Sequence, residues 1–389
     1  MDSRDRILTA LDRDCPDRVP IFELAIDNTH QTLSSFYNIL PGVQKYVRMK
    51  FNNTLIRFLG KLVGKRVLKR VIRKIGMTAG KIGNMELLKA ARRYGIDGTS
   101  LMIGSLFATN SRIYSTLDAY VDEYGRLSAI SKNALAWYKG GIMTPQLLDE
   151  WGFPNPLDQT RLDIFHNAME LNKDNKVFLI LGPGGLFETI YEACGLENFF
   201  LYIYDNPSFI RRLFDLQKKF IIELGKYTID HGAEAIVLGD DSAFKSGPLM
   251  SPKLFEKYLF PRYKEIVNIF HKKGAKVILH SDGDTHLIID GWIKCGFDAI
   301  HPWEPPMMNL KEAKEKWGDK ICLCGNVDCG ITLVYGPKQR IINEVKQCIK
   351  DAAEGGGYML SSSNSIHFGV PPTNYEIMVN AGRKYGIYT

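Results

Sequence analysis

The sequence predicts an α/β protein of the (β/α)8 TIM-type barrel class, and three observations carry that prediction. Eight short apolar runs are spread along the 389 residues. Amphipathic helical patterns separate the last five of them, the rhythm of βαβ units. Ionisable and small polar residues follow directly after the runs, where the C-terminal face of a parallel barrel carries its chemistry.

The runs, in order, are Val19-Pro-Ile-Phe22, Gly98-Thr-Ser-Leu-Met-Ile103, Val177-Phe-Leu-Ile-Leu181, Ala235-Ile-Val-Leu238, Lys276-Val-Ile-Leu279, Asp298-Ala-Ile-His301, Ile321-Cys-Leu-Cys324 and Tyr358-Met-Leu360. Each is near-continuously apolar and short, as a strand buried on both faces must be. The helical patterns between them span Phe255 to His271, Leu287 to Cys295, Leu310 to Trp317 and Gln339 to Ala353, the last stopped by Gly355-Gly-Gly357. Long inserts follow strands one and two, at 24–95 and 104–176. The second contains a turn at Asp122-Glu-Tyr-Gly-Arg126. No linker divides the chain, so residues 1–389 are expected to form a single barrel domain.

Hydrophobic residues make up 45% of the chain and charged residues 24%, which is enough for a large core. The formal net charge of +7 is local. No Asp or Glu lies between Asp27 and Glu86, while Lys45, Arg48, Lys65, Arg66, Lys69, Arg70 and other cations do. The remainder is mildly acidic, which argues against general nucleic-acid binding. The stretch 45–74 mixes cations with leucines, isoleucines and valines as an amphipathic helical insert would. A solvated face, a dock for an acidic partner and contact with an anionic membrane all fit it. Seven cysteines, an odd number, and an N-terminus without a signal-peptide core predict a reducing cytoplasm. No apolar run approaches the roughly 18–20 residues of a membrane span.

Candidate chemistry collects after strands three to eight. His280 and Asp282 alternate along strand five, so both are expected to face the barrel mouth, where they suit metal binding or acid–base work. Of Asp240 and Asp241, neighbours that point opposite ways, Asp241 is the one expected inward and Asp240 the capping residue. Cys322, Cys324 and Asn326 share a face of strand seven. Cys324, nearer the C-terminal end, is a thiolate ligand or a buried thiol. Glu304 and His301 end strand six around Trp303, which is placed to stack on an aromatic substrate. Gly182-Pro-Gly-Gly185 reads as a tight turn beside Phe187, a candidate pocket residue. His367 and the serines 361–365 either bind substrate oxygens or simply turn the chain.

These residues resemble a known set. Arg4-Asp-Arg-Ile-Leu-Thr-Ala-Leu11 with Pro16-Asp-Arg-Val-Pro20, Gly239-Asp-Asp241 with Met250-Ser-Pro252, Val277-Ile-Leu-His-Ser-Asp-Gly283, Gly325-Asn-Val-Asp328 and Gly355-Gly-Gly357 with the serine run resemble the uroporphyrinogen decarboxylase superfamily, in the same order. That superfamily contains porphyrinogen decarboxylases and corrinoid-dependent methyltransferases. The decarboxylases carry an Arg-bearing Gln-Ala-Gly-Arg loop after strand one. Here that region reads Phe22-Glu-Leu-Ala-Ile-Asp27, without the arginine and with two acids. The thiol-methylating branch binds zinc through a His-x-Cys pair and a later cysteine. Here the pair is His280-Ser-Asp282 and strand eight ends in serines.

The resemblance therefore implies a methyltransferase of the O-demethylase type, moving a methyl group from a methoxylated aromatic compound to the cobalt(I) corrinoid of a partner protein. It implies zinc on His280, Cys324 and one or both of Asp241 and Asp282, polarising the ether oxygen. Trp303, Phe187, Asn326, Glu304 and His367 would contact substrate. Alternatives from other classes are a metal-free decarboxylase or lyase acting on an aromatic or tetrapyrrole acid, with Asp282 binding the substrate, and a non-catalytic corrinoid-binding protein. A homodimer is left open.

Overall fold

A computed structural model describes residues 1–26, 81, 83–105, 112–114, 119–129 and 137–388. Eight parallel strands form one sheet whose spatial order is the chain order. They are β1 (Phe22–Glu23), β2 (Gly98–Met102), β3 (Phe178–Gly182), β4 (Ala235–Gly239), β5 (Lys276–His280), β6 (Ala299–His301), β7 (Cys322–Val327) and β8 (Tyr358–Ser362). Parallel bridges Ile21 to Leu360 and Ile26 to Ile366, with the Leu360 N–H donating to the Pro20 carbonyl at 2.9 Å, join the last strand to the first and close the barrel. Closure leaves no sheet edge. The expected barrel is thus present, with every strand beginning within three residues of its apolar run.

Side-chain alternation sorts each strand into an inward and an outward set. Phe22, Phe178, Ile180, Ala235, Val237, Ile278, Ala299, Cys322, Cys324 and Met359 form one buried cluster inside the barrel. The first helix, Ser3–Leu11, adds Ile7, Ala10 and Leu11 to the same cluster and stoppers the N-terminal end. Asp97 ties that end together. It accepts from Arg6 at 2.7 Å, from both outer nitrogens of Arg18 at 2.8 Å and from the Ile21 N–H at 2.8 Å. The opening motif, whose arginines these are, therefore serves the closed end of the barrel. The outward set packs against the surrounding helices in a second, larger core.

Three details differ from the periodicity. The helical pattern from Phe255 to His271 is two helices, Pro252–Tyr258 and Phe260–His271. Pro261 lacks the N–H that a continuous helix would use, so the chain restarts there. The helix expected from Leu287 begins at Ile289. The insert 104–176 contributes a four-stranded antiparallel sheet, Arg112–Tyr114, Ala119–Val121, Arg126–Ala129 and Trp137–Gly141, before helices Pro145–Trp151 and Gln159–Leu171. Its Asp122 turn lies where the sequence places one, with Asp122 Oδ1 accepting from the N–H groups of Tyr124 and Arg126. The basic stretch 45–74 lies outside the described residues. No helix among the described residues is long and apolar enough to cross a membrane.

Candidate active site at the barrel mouth

At the C-terminal end of β5 the inward positions change character. Ile278 belongs to the apolar interior, and His280, two residues on, reaches the mouth. In the register, His280 lies opposite Gly239 of β4 and His301 of β6. Gly239 presents no side chain, and a Cβ there would lie 3.2 Å from Met102 Cε, while the loop after β4 carries Asp241 to the strand end. His280 Nε2 then lies 3.6 Å from Asp241 Oδ1 and 3.7 Å from Asp282 Oδ1. All three donor atoms fall within 4.8 Å of one another.

Two loops hold these carboxylates in place. The Asp282 N–H donates to Asp241 Oδ1 at 3.0 Å, and Asn364 donates to Asp282 Oδ2. Gly283 has φ +84, and a Cβ there would lie 2.7 Å from the carbonyl oxygens of Ala243 and Phe244. Glycine is required both for that conformation and for that approach. The Asp284 N–H completes the seam by donating to the Phe244 carbonyl at 2.9 Å, while the Gly283 N–H donates to Glu304 Oε2 at 2.8 Å.

Burial dominates the electrostatics. It raises the Asp282 carboxyl to about 8, with Asp241 and Glu304 adding to the shift. Burial lowers His280, against the opposing pull of Asp241. His301 is held well below the usual imidazole range by burial and then by His280. Asp282 Oδ1 is a buried acceptor without a hydrogen-bond partner. Such an atom costs roughly 1–3 kcal/mol unless something satisfies it. A divalent cation would satisfy it. Tetrahedral zinc with ligands at 2.0–2.2 Å separates its donors by about 3.4 Å, close to the two spacings at His280. The donor set, one imidazole and two carboxylates, leaves a fourth position open. It fits zinc.

Cys324 is not in this group. It sits one inward position below Asn326, buried among the apolar interior side chains, where burial raises its thiol well above the ordinary value. The structure places it in the apolar interior, apart from the three donors. Trp303 and Phe187 are also displaced from the roles expected of them. Trp303 is 2% exposed, donates its indole N–H to the Ile300 carbonyl at 2.9 Å and packs on Trp317. Phe187 is fully buried among Tyr191, Phe199 and Phe255. Neither offers a face to a substrate. Asn326 is buried and donates to the Trp303 carbonyl at 2.8 Å. His367 hydrogen-bonds to the Cys329 carbonyl at 3.0 Å, bracing the loops after β7 and β8. Of the expected contact residues, Glu304 abuts the three-donor group.

Asp240 turns away from the mouth. Its carboxylate accepts from the N–H groups of Leu186, Phe187 and Glu188, anchoring the start of helix Glu188–Cys194, and from the Tyr263 hydroxyl at 2.6 Å. Glu23, one of the two acids after strand one, is fully buried and bonded to Ser362, Oε2 at 2.6 Å from the serine hydroxyl. Asp27 lies outside the described residues.

Sequence reasoning missed the partners behind His280. His301 Nδ1 lies 2.8 Å from His280 Nδ1, and His301 Nε2 lies 3.0 Å from Ser361 Oγ. Strand parity was the available signal, since His301 follows Ala299 by two and Ser361 follows Met359 by two.

Residues 129–385 match the family profile described as Uroporphyrinogen decarboxylase (URO-D). The chain belongs to the uroporphyrinogen decarboxylase family. Its relatives include a methylcobamide:CoM methyltransferase, MtaA, from Methanosarcina barkeri, 24% identical over 245 residues, covering 62% of this chain and 69% of the relative. A uroporphyrinogen decarboxylase from Mannheimia succiniciproducens is 28% identical over 258 residues, covering 63% and 70%. For another, from Pseudoalteromonas atlantica, the match spans 50% of the relative. Both activities thus occur among relatives at similar identity. A solved structure described as a methyltransferase from Methanosarcina mazei shares the fold, with a TM-score of 0.69, 99% of both chains covered and 19% identity.

Proposed function

We propose that this family member is a corrinoid-protein-dependent methyltransferase, residues 1–389 forming one barrel domain, with Asp241, His280 and Asp282 holding a zinc ion and a methoxylated aromatic compound as methyl donor. The observation that carries this reading is the three-donor group around the unpartnered Asp282 Oδ1. Two carboxylates and a neutral imidazole balance a divalent charge, and oxygen donors leave the ion a harder Lewis acid than thiolates would. When bound, the ion would polarise the ether oxygen, which otherwise leaves as an aryloxide whose conjugate acid has a pKa of roughly 10.

The chain's own groups prepare that chemistry. Asn364 and the Asp282 N–H fix how the two carboxylates face each other. Glu304 holds the Gly283 turn, keeping Asp282 at the mouth. The closed apolar layer beneath keeps water from approaching His280 from below. In the transfer, the methyl carbon–oxygen bond breaks with both electrons passing to oxygen. The cobalt(I) pair of the partner's corrinoid, a substrate here, forms the new carbon–cobalt bond in line.

The test is elemental analysis of the purified protein, then incubation with methoxylated aromatics and cob(I)alamin. Stoichiometric zinc, with loss of the cob(I)alamin absorption as a phenol accumulates, is the expected result. The similarity to decarboxylases supports a second reading, a metal-free decarboxylase. Carbon dioxide release from an aromatic or tetrapyrrole acid by zinc-free protein would establish that reading and end the first.

A further inference from the structure

We infer that His301, backed by Ser361 and Glu23, is a positioning residue that holds His280 in the tautomer with its Nε2 lone pair facing Asp241 and Asp282. The inference extends the proposed cation site by naming what aims its nitrogen ligand.

The argument follows donors and acceptors from the wall of the barrel inward. Glu23 is fully buried on β1, accepting from the Ser362 N–H at 3.1 Å and from Ser361 Oγ at 3.5 Å. Ser361 Oγ, 3.0 Å from His301 Nε2, can accept from it while its own hydrogen turns toward Glu23 Oε2 at 3.5 Å. The Ser362 carbonyl also borders the His301 ring, and a carbonyl can only accept. His301 therefore carries its hydrogen on Nε2. A neutral imidazole has one hydrogen, so His301 Nδ1 is an acceptor. The 2.8 Å contact between the two Nδ1 atoms then requires His280 to donate from Nδ1. His280 Nε2 is left with its lone pair.

A second observation agrees. If His280 carried its hydrogen on Nε2, the nearest carboxylate oxygens would be at 3.6 and 3.7 Å, beyond hydrogen-bond length. The opposite tautomer would thus leave one buried N–H without a partner and two Nδ1 lone pairs facing each other. A ligating histidine needs such an orienting acceptor on its far nitrogen, and removing one costs about 10- to 100-fold in metal affinity. Here that acceptor is a second histidine, placed opposite by the β5–β6 register.

The chain has eight histidines, so selective 15N-histidine labelling gives a readable spectrum of the full-length protein. In metal-free wild type above neutral pH, His280 should show a protonated Nδ1 and a pyridine-like Nε2, and His301 the reverse. His301→Phe should mix the His280 tautomers and weaken zinc binding about 10- to 100-fold. His301→Asn, which can place an amide oxygen near Nδ1, should keep both within a few-fold of wild type. Ser361→Ala should shift His301 toward mixed tautomers. A protonated His280 Nε2 in the wild type would overturn the inference even if no variant folds. So would a His301→Phe protein with unchanged tautomer and unchanged zinc affinity. The tautomer is read without metal, so a protein that shows the expected tautomers but takes up no zinc sinks the proposed function and leaves this inference standing.

Discussion

The inward positions of the barrel form two layers that follow the same alternation and do opposite work. The lower layer, Ile278, Ala299, Cys324 and Met359 among others, is apolar and sealed by the first helix. One step along the same strands come His280, His301, Asn326 and Ser361, every one of them hydrogen-bonded or part of the three-donor group. Strand geometry alone does not distinguish the layers. The difference lies in what closes them. A layer with atoms on every side gains from dispersion and burial, while one bordered by loops can seat polar groups whose partners those loops supply.

The sharpest way to break this comparison is to remove one member of each layer. His280→Ala should abolish zinc binding and lower turnover about a thousandfold, roughly 4 kcal/mol of transition-state stabilisation, with little change in melting temperature. Ile278→Ala, two residues away, should cost about 2–5 kcal/mol of stability while leaving zinc affinity intact. If His280→Ala unfolds the protein, or Ile278→Ala strips zinc, the layers are not separable.

Next in size is a pH effect at Glu23, on the outward side of β1. Burial raises the Glu23 carboxyl from 4.5 to about 8. The folded state therefore binds a proton that the unfolded state has lost, and stability falls as pH rises through that window. The contribution is on the order of a few kcal/mol. Glu23→Gln should flatten denaturant-measured stability between those limits, and an unchanged slope would assign the pH dependence elsewhere.

Cys324→Ser is expected to cost about 1–3 kcal/mol through an unmatched buried hydroxyl, with zinc stoichiometry unchanged. Loss of zinc would return Cys324 to the ligand set. The smallest expected effect concerns the basic stretch 45–74. Reversing Lys65, Arg66, Lys69 and Arg70 to Glu should slow methyl transfer to a corrinoid protein a few-fold to tenfold, and transfer to free cobalamin hardly at all. Added salt should mimic the change in the wild type. Equal loss with both acceptors would mean that these charges serve folding or oligomer assembly.

The barrel was legible because each strand is a near-continuous apolar run with its polar residues directly behind it. Asp241, His280 and Asp282 were legible for the same reason, since strand-end position and parity suffice to bring them together. What escaped depends on facts the chain does not state locally. The His280 relay joins residues from β1, β5, β6 and β8, and each has an ordinary reading by itself. Trp303 and Phe187 follow strands as the donors do, yet turn into the surrounding helices, because nearness to a strand end does not determine which way a loop side chain faces. Cys324 faces inward as its parity requires, at a depth that alternation cannot give.

The seam between the loops after β4 and β5 has a consequence of its own. At Gly283 two backbones meet where no side chain fits, so main chain sets the spacing of the two loops that carry Asp241 and Asp282. Donor position and donor chemistry are therefore independent. A different residue at 282 changes what the site prefers to hold without moving where it holds it, whereas any residue other than glycine at 283 moves the site and leaves its preference without a place to act. A fold built this way can diversify its chemistry one residue at a time.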